Sequence, residues 1–223
     1  MTNLAVDRTL DSKFHQLVQD QIGSELGASS QYLAIAVYFD GEDLPRLAAL
    51  FYRQSVEERS HAMMLVQYLL DRDLPAEIPA LEPVQNTFTA PREALALALT
   101  LERAVTDQIS RLAATARDEG DYLGEQFMQW FLKEQVEEVA LMTTLLRIAE
   151  RAGTDLFHLE DFVAREVFAS LPLRQELSAW DNRIDAAVQT RMRLEMRTLV
   201  ERASRWFVAN RRPPMESQAV VDQ

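Results

Sequence analysis

The sequence predicts an all-α protein: a bundle of four long helices with one long crossover, a short fifth helix, and an extra amphipathic helix at the C-terminus. Three observations predict it. Apolar residues recur every three or four positions through four long segments, the period of a helix with one buried face. The 223-residue chain has only 6 glycines, and none of its 8 prolines falls inside those segments beyond a first turn. The links between segments run short, long, short, which sets two helical hairpins side by side.

The first helix, α1, is expected over about Asp11–Phe39, with Phe14, Val18, Ile22, Glu25, Ser29, Tyr32, Ala36 and Phe39 on its inner stripe. Asp40-Gly41-Glu42-Asp43 is the turn, and Pro45 suits the first turn of α2. That helix runs to about Leu70 and carries Leu47, Phe51, Glu58, Ala62, Leu65 and Leu69 on one face. The next connection, Asp71 to Ala90, holds Pro75, Pro79 and Pro83 and is long enough to cross the length of a bundle. Helix α3 starts near Pro91, with the stripe Leu95, Leu99, Glu102, Val105, Ile109, Leu112, Ala116, and breaks at Glu119-Gly120-Asp121. Helix α4 is expected over Tyr122–Ala152, with Leu123, Phe127, Trp130, Glu134, Glu138, Leu141, Leu145 and Ile148 inward and Gly153 as its C-terminal cap. A short α5 follows over Leu156–Val167.

The net charge of −12 is unevenly spread. Residues 1–167 hold 28 acidic and 14 basic side chains and all 6 glycines; residues 168–223 hold 7 acidic and 9 basic. The break near 168 divides the chain into a domain, 1–167, and a C-terminal extension, 168–223. The acidic domain repels nucleic acid and attracts cations. There are no cysteines, which excludes a disulfide framework and a thiolate metal site. Met1 to Leu10 has no apolar signal core, and no apolar run is long enough to span a membrane, so a cytoplasmic protein is expected.

Four glutamates sit where helices should place leucines. Glu25, Glu58, Glu102 and Glu138 each fall on the apolar stripe of a different long helix. An isolated buried carboxylate is strongly disfavoured unless it is protonated or partnered. His61 lies one turn from Glu58, so Glu58-Arg59-Ser60-His61 presents a carboxylate and an imidazole on one face. Oxygen-rich ligation with one imidazole and no thiolate suits iron or manganese better than structural zinc. Two metals would share Glu58, with Glu25 and His61 completing one position and Glu102 and Glu138 the other. A scaffold in which the carboxylates merely pair with basic residues is the bland alternative, but few basic residues share these stripes.

These motifs resemble those of bacterial non-heme ferritins, and most closely the actinobacterial bacterioferritin-B type. The resemblance rests on Ser24-Glu25-Leu26 with Gln31-Tyr32, on Val56-Glu57-Glu58-Arg59-Ser60-His61-Ala62, on Leu101-Glu102-Arg103, and on Trp130 through Glu138; it covers about residues 10–167. It implies a ferritin-like fold and a homo-oligomeric shell of 24 subunits. It also implies ferroxidase activity: Fe(II) is oxidised to Fe(III) at a di-iron centre, with O2 or H2O2 as oxidant, and the mineral is stored inside. Its site residues would be Glu25, Glu58, His61, Glu102 and Glu138, with Gln135 beside them. Glu57, Glu134, Glu137 and Glu138 would form a third iron site, and Tyr32 would be an electron donor. A di-iron oxidase or peroxidase without storage is the second reading.

Heme-binding bacterioferritins place a methionine directly after the α2 glutamate and a second Glu-x-x-His on α4. Here Arg59 and Glu137 stand at those places, so no heme is expected. Met63 and Met64, near Arg59, read as packing residues, and His15 and His158 as ordinary surface or core residues. Acidic residues around the α3–α4 turn, Asp118, Glu119, Asp121 and Glu125, line an ion channel in ferritins, although an acidic turn is also simply a solvated one.

The extension carries a helical stripe over 173–210: Leu177, Trp180, Ile184, Val188, Met192, Met196, Leu199, Ala203, Trp206. Ala187 to Met192, Leu199 to Ala203, Arg205-Trp206 and Arg211-Arg212-Pro213-Pro214 resemble a helical stretch of large NAD-specific glutamate dehydrogenases. No nucleotide-binding glycine motif accompanies it, so no dehydrogenase activity is expected.

Overall fold

A computed structural model of the chain describes residues 12–153 and 155–167; the expected helix over 173–210 lies outside them. The described residues form α1 (Lys13–Gly41), α2 (Pro45–Asp71), α3 (Pro91–Asp118), α4 (Tyr122–Ala152) and α5 (Leu156–Phe162), which ends in a π turn at Val163–Val167. No strand occurs among them, and none of these helices is long and apolar enough to cross a membrane. Helix α1 packs along α2, and α3 along α4; α1 also faces α3, while α5 lies against α4 and α2. Phe14, Val18, Ile22, Leu65, Leu69, Ile109, Leu112, Met128 and Phe131 make a continuous apolar core at one end of the four-helix unit.

The first hairpin turns one residue type away from expectation. Gly41 stays helical, and Asp43, at φ 58°, takes the left-handed conformation instead. A short polar side chain tolerates that region better than most.

Two helix starts are closed by carboxylates from distant parts of the chain. Glu119, just past α3, accepts from the Lys13 N–H (2.9 Å) and the Phe14 N–H (3.2 Å). Glu160 of α5 accepts from the Arg46 N–H and the Leu47 N–H, both at 2.9 Å. Each satisfies two amides that an α-helix leaves open at its N-terminus, where a negative charge is also favoured. The crossover is fixed by two glutamines of α1. Gln19 donates to the Glu77 carbonyl (2.6 Å) and accepts from the Glu77 N–H (2.9 Å). Gln31 does the same with Gln85, at 2.8 Å in both directions. Each amide acts as one rung of strand pairing, so the proline-bearing segment runs alongside α1 from one end towards the other.

The stripe of α4 is rotated from the one the periodicity predicts. Its buried residues are Gly124, Met128, Phe131, Gln135, Glu138, Met142, Leu145 and Ala149, whereas Leu123 is 71% exposed. Helix α4 has apolar residues at many adjacent positions, so period alone admits two registers; packing selects the one whose smaller side chains fit the interior. Gly124 shows why. A Cβ there would stand 2.4 Å from the ring of Phe14. Gly124→Ala is therefore expected to destabilise the bundle by about 1–3 kcal/mol through overpacking, measured by thermal unfolding, even though alanine is the better helix former. A neutral or stabilising result would mean that Phe14 yields freely.

Candidate metal centre

Midway along the bundle the apolar core gives way to a buried polar layer. Glu25, Glu58, Glu102 and Glu138 are all at most 6% exposed, one from each long helix, with His61 and Gln135 beside them. Among the described residues, Glu25, Glu58 and His61 form the single group of three whose ligand atoms all lie within 4.8 Å of one another. Glu102 and Glu138 adjoin that group without closing on it; Glu102 acts electrostatically on Glu58, and both Glu102 and Glu58 act on Glu138. Like-charged groups in a low-dielectric layer stand apart unless something positive lies between them.

The four carboxylates share one pattern. Each has one oxygen next to a side-chain donor and the other oxygen buried without a hydrogen-bond partner. Gln21 donates to Glu25 Oε1 (2.9 Å), leaving Oε2. His61 Nδ1 stands 3.2 Å from Glu58 Oε2, leaving Oε1. The Tyr32 hydroxyl donates to Glu102 Oε1, leaving Oε2. Gln54 donates to Glu138 Oε1 (3.4 Å), leaving Oε2. Buried acceptors without partners are costly, and four around one layer are a donor set of hard oxygens suited to a di- or trivalent cation. The donors that meet these carboxylates are amides, a phenol and an imidazole. The basic group whose charge reaches this set is Arg53, half-buried on α2, which acts electrostatically on Glu57 and Glu138.

Electrostatics agree with geometry. Burial, then the neighbouring Glu58, holds the Glu25 carboxyl well above its usual range. Burial also raises Glu58, to about 8, with Glu102 and Glu57 adding to the effect. Glu102 is raised by burial, against the pull of the Tyr32 hydroxyl, and Glu138 well raised by burial and by Glu57, Glu102 and Glu58. The same layer lifts the Tyr32 hydroxyl well above the ordinary phenol range, by burial and then by Glu102.

Surrounding residues fix the rest. The His61 ring meets Trp130 and Phe131 edge-on, at centroid distances of 5.5 and 5.8 Å, which limits its rotation. Gln135 accepts from the Thr106 hydroxyl (2.8 Å) through its carbonyl, so its NH2 group faces Glu102. Towards the surface, Glu57 and Glu134 are half-buried, and both act electrostatically on Glu138. Glu137 lies next to them and, with burial, raises Glu134.

Sequence reading missed Gln21, Gln54 and Thr106. Part of the signal was present: Gln21 sits four residues before Glu25 and Gln54 three before Glu57, where an amide reaches the next turn. The acidic α3–α4 turn is structurally engaged. Glu119 caps α1, Asp121 caps α4 through the Gly124 N–H (3.0 Å) and meets Arg72 (3.2 Å), and Glu125 pairs with Arg117. His15 is largely buried and 3.5 Å from Asp121, while His158 is exposed.

Comparison with known proteins gives two family matches. The family described as "Ferritin-like domain" matches residues 15–152, and "Glutamate dehydrogenase, C-terminal" matches residues 142–223. Ferritin BfrB of Mycolicibacterium smegmatis is 73% identical over 161 residues, covering 72% of this chain and 89% of its own. A bacterial non-heme ferritin of Staphylococcus aureus is 34% identical over 146 residues, covering 66% of this chain and 88% of its own. Among solved structures, an open-pore ferritin from Archaeoglobus fulgidus superposes with a TM-score of 0.66 at 27% identity, over 70% of this chain and 96% of the other. The two family matches overlap at 142–152, the last turns of α4. The chain belongs to the ferritin family, and its C-terminal extension is similar to the C-terminal part of glutamate dehydrogenases.

Proposed function

We propose that this chain is a ferroxidase that oxidises Fe(II) to Fe(III) within the buried carboxylate layer and stores the product inside a shell of 24 like subunits. Membership in the ferritin family supports iron storage. The observation that carries the oxidation is the ring of four unpartnered buried carboxylate oxygens. Two substrate ions fit this donor set, one held by Glu25, Glu58 and His61, the other by Glu58, Glu102 and Glu138, with Gln135 at its side. Iron supplies the redox chemistry. The residues supply fixed ligands and concentrated negative charge, which favours Fe(III) over Fe(II) and so assists electron loss to O2 or H2O2. Gln21, Gln54 and Tyr32 hold three of the carboxylates in place, and Trp130 and Phe131 hold His61. Tyr32, hydrogen-bonded to Glu102, serves as an electron donor. Glu57, Glu134 and Glu137, beside Glu138, form a stepping site between the layer and the surface.

Heme plays no part in this reading, because Arg59 stands where a ligating methionine would be needed and α4 has no histidine. Iron handling belongs to residues 1–167, and 168–223 are an addition to that unit. Aerobic addition of Fe(II) to metal-free protein tests the reading by ferric absorbance and particle size. Fast oxidation with growth of a mineral core inside a large particle is expected. Fast oxidation by a small oligomer with no core would favour an oxidase without storage, and oxidation no faster than in buffer would remove the activity altogether.

A further inference from the structure

Two of the three donors that sequence reading missed are glutamine amides in equivalent places. Gln21 lies one turn before Glu25 on α1, and Gln54 one turn before Glu58 on α2; both are at most 3% exposed. A carboxylate that holds a cation is ionised and only accepts, so with an ion bound the amide NH2 must be the side that faces it. Gln21 donates to Glu25 Oε1. Gln54 reaches across the bundle instead: its Nε2 donates to Glu57 Oε2 (2.9 Å) and to Glu138 Oε1 (3.4 Å), while its own carbonyl oxygen is buried without a partner. One amide thus spans a carboxylate of the central layer and one of the outer acidic group. Glutamine here costs an unsatisfied carbonyl, a cost that an apolar residue of the same length would avoid.

We propose that Gln21 and Gln54 are a matched pair of positioning residues, each preparing one of the two cation positions. Each holds one carboxylate oxygen from behind and leaves the other oxygen, Glu25 Oε2 or Glu138 Oε2, presented to the ion. Gln21 serves the position containing His61. Gln54 serves the all-oxygen position and ties it to Glu57, so that the inner ion and the outer acidic group share one support. The pairing is asymmetric in consequence: loss of Gln54 loosens the route towards Glu57, whereas loss of Gln21 leaves that route intact. This inference rests on the two-ion reading of the layer.

The test is anaerobic titration of the full-length, metal-free protein with Co2+, followed by calorimetry and by NMR. A Co2+ ion bound to imidazole shifts the His61 ring protons, which distinguishes the two positions. Gln54→Met and Gln21→Met keep side-chain length and charge while removing the donors. Gln54→Met is expected to weaken the all-oxygen equivalent about 10–100-fold, the usual effect of losing an outer-shell hydrogen bond, and to leave the His61 equivalent within about threefold. Gln21→Met should do the reverse. If both equivalents weaken alike in both variants, or neither moves, the glutamines are ordinary packing residues and the proposal is overturned. Should one variant fail to fold, the other alone decides by the same criterion. Wild-type protein that takes up no Co2+, or that binds as much after Glu58→Ala with His61→Ala, would overturn the two-ion reading itself, a result distinct from failure of the positioning role.

Discussion

Replacing Glu58 with methionine should nearly abolish Fe(II) oxidation and, at the same time, leave the metal-free bundle more stable. Both effects come from one residue because both positions in the layer share it. The oxidation rate is expected to fall on the order of a hundredfold or more, since removing a shared first ligand exceeds the loss from removing an outer-shell partner. The stability gain follows from burial. Glu58 is 1% exposed and one of its oxygens has no partner, so an apolar side chain of similar volume relieves a desolvation penalty. Replacing a whole buried ion pair by apolar residues is often neutral or stabilising by about 1–4 kcal/mol. Here the change relieves the repulsion of Glu25 and Glu138 but also removes the partner of the His61 ring, so the gain lies at the lower end of that range. For a domain of this size each kcal/mol raises the melting temperature by about 2–4 °C. Stopped-flow ferric absorbance and calorimetry of the metal-free protein measure the two effects. A variant that melts well below the wild type would show that Glu58 stabilises the fold on its own account.

The second large effect is an inverted pH dependence. Glu25, Glu58, Glu102 and Glu138 all have folded-state proton affinities above those of the unfolded chain, chiefly through burial. Between the ordinary carboxylate range and about pH 8, where Glu58 titrates, the folded state binds more protons than the unfolded state. Stability then falls as pH rises. The contribution of the neutral carboxyls is fully present below about pH 4.5 and is lost as pH climbs through the folded values, on the order of a few kcal/mol in all. Glu119 and Asp121 act in the opposite sense. Although partly desolvated, each is held below its usual range, Glu119 by the Ser12 hydroxyl and the α1 amides, Asp121 by the Gly124 N–H and Arg72. Their contribution is lost only in stronger acid. The metal-free protein should therefore melt highest near pH 5 and progressively lower towards pH 8. Mn2+, a redox-stable probe, should flatten that slope and release protons on binding at pH 7. A melting temperature that does not change between pH 5 and 8, or binding without proton release, would show that the layer is already ionised without a cation.

The helices and the four glutamates were legible in the sequence because both depend on local spacing. Every stripe residue of α1, α2 and α3 except Ser29 is buried, although the buried faces of α1 and α2 are broader than those stripes. Helix α4 failed this test for a physical reason: where neighbouring positions are all apolar, the choice of face belongs to the partner helix, and Phe14 sets it by occupying the space above Gly124. The caps from Glu119 and Glu160 were hidden because each joins residues more than a hundred positions apart. Gln21 and Gln54 were hidden differently. A glutamine on a mixed stripe carries no periodic signal, and only the position of the carboxylate one turn away gives it meaning.

The cap that Glu160 places on α2 makes the short α5 a reporter of its own attachment. The amide hydrogens of Arg46 and Leu47 would otherwise face solvent at a helix start; here both are held by a single side chain from α5. Their exchange with deuterium requires that α5 lift away, while the rest of α2 remains folded. The exchange rate of those two hydrogens thus counts the openings of the last described helix, in a chain whose longest addition begins a few residues further on.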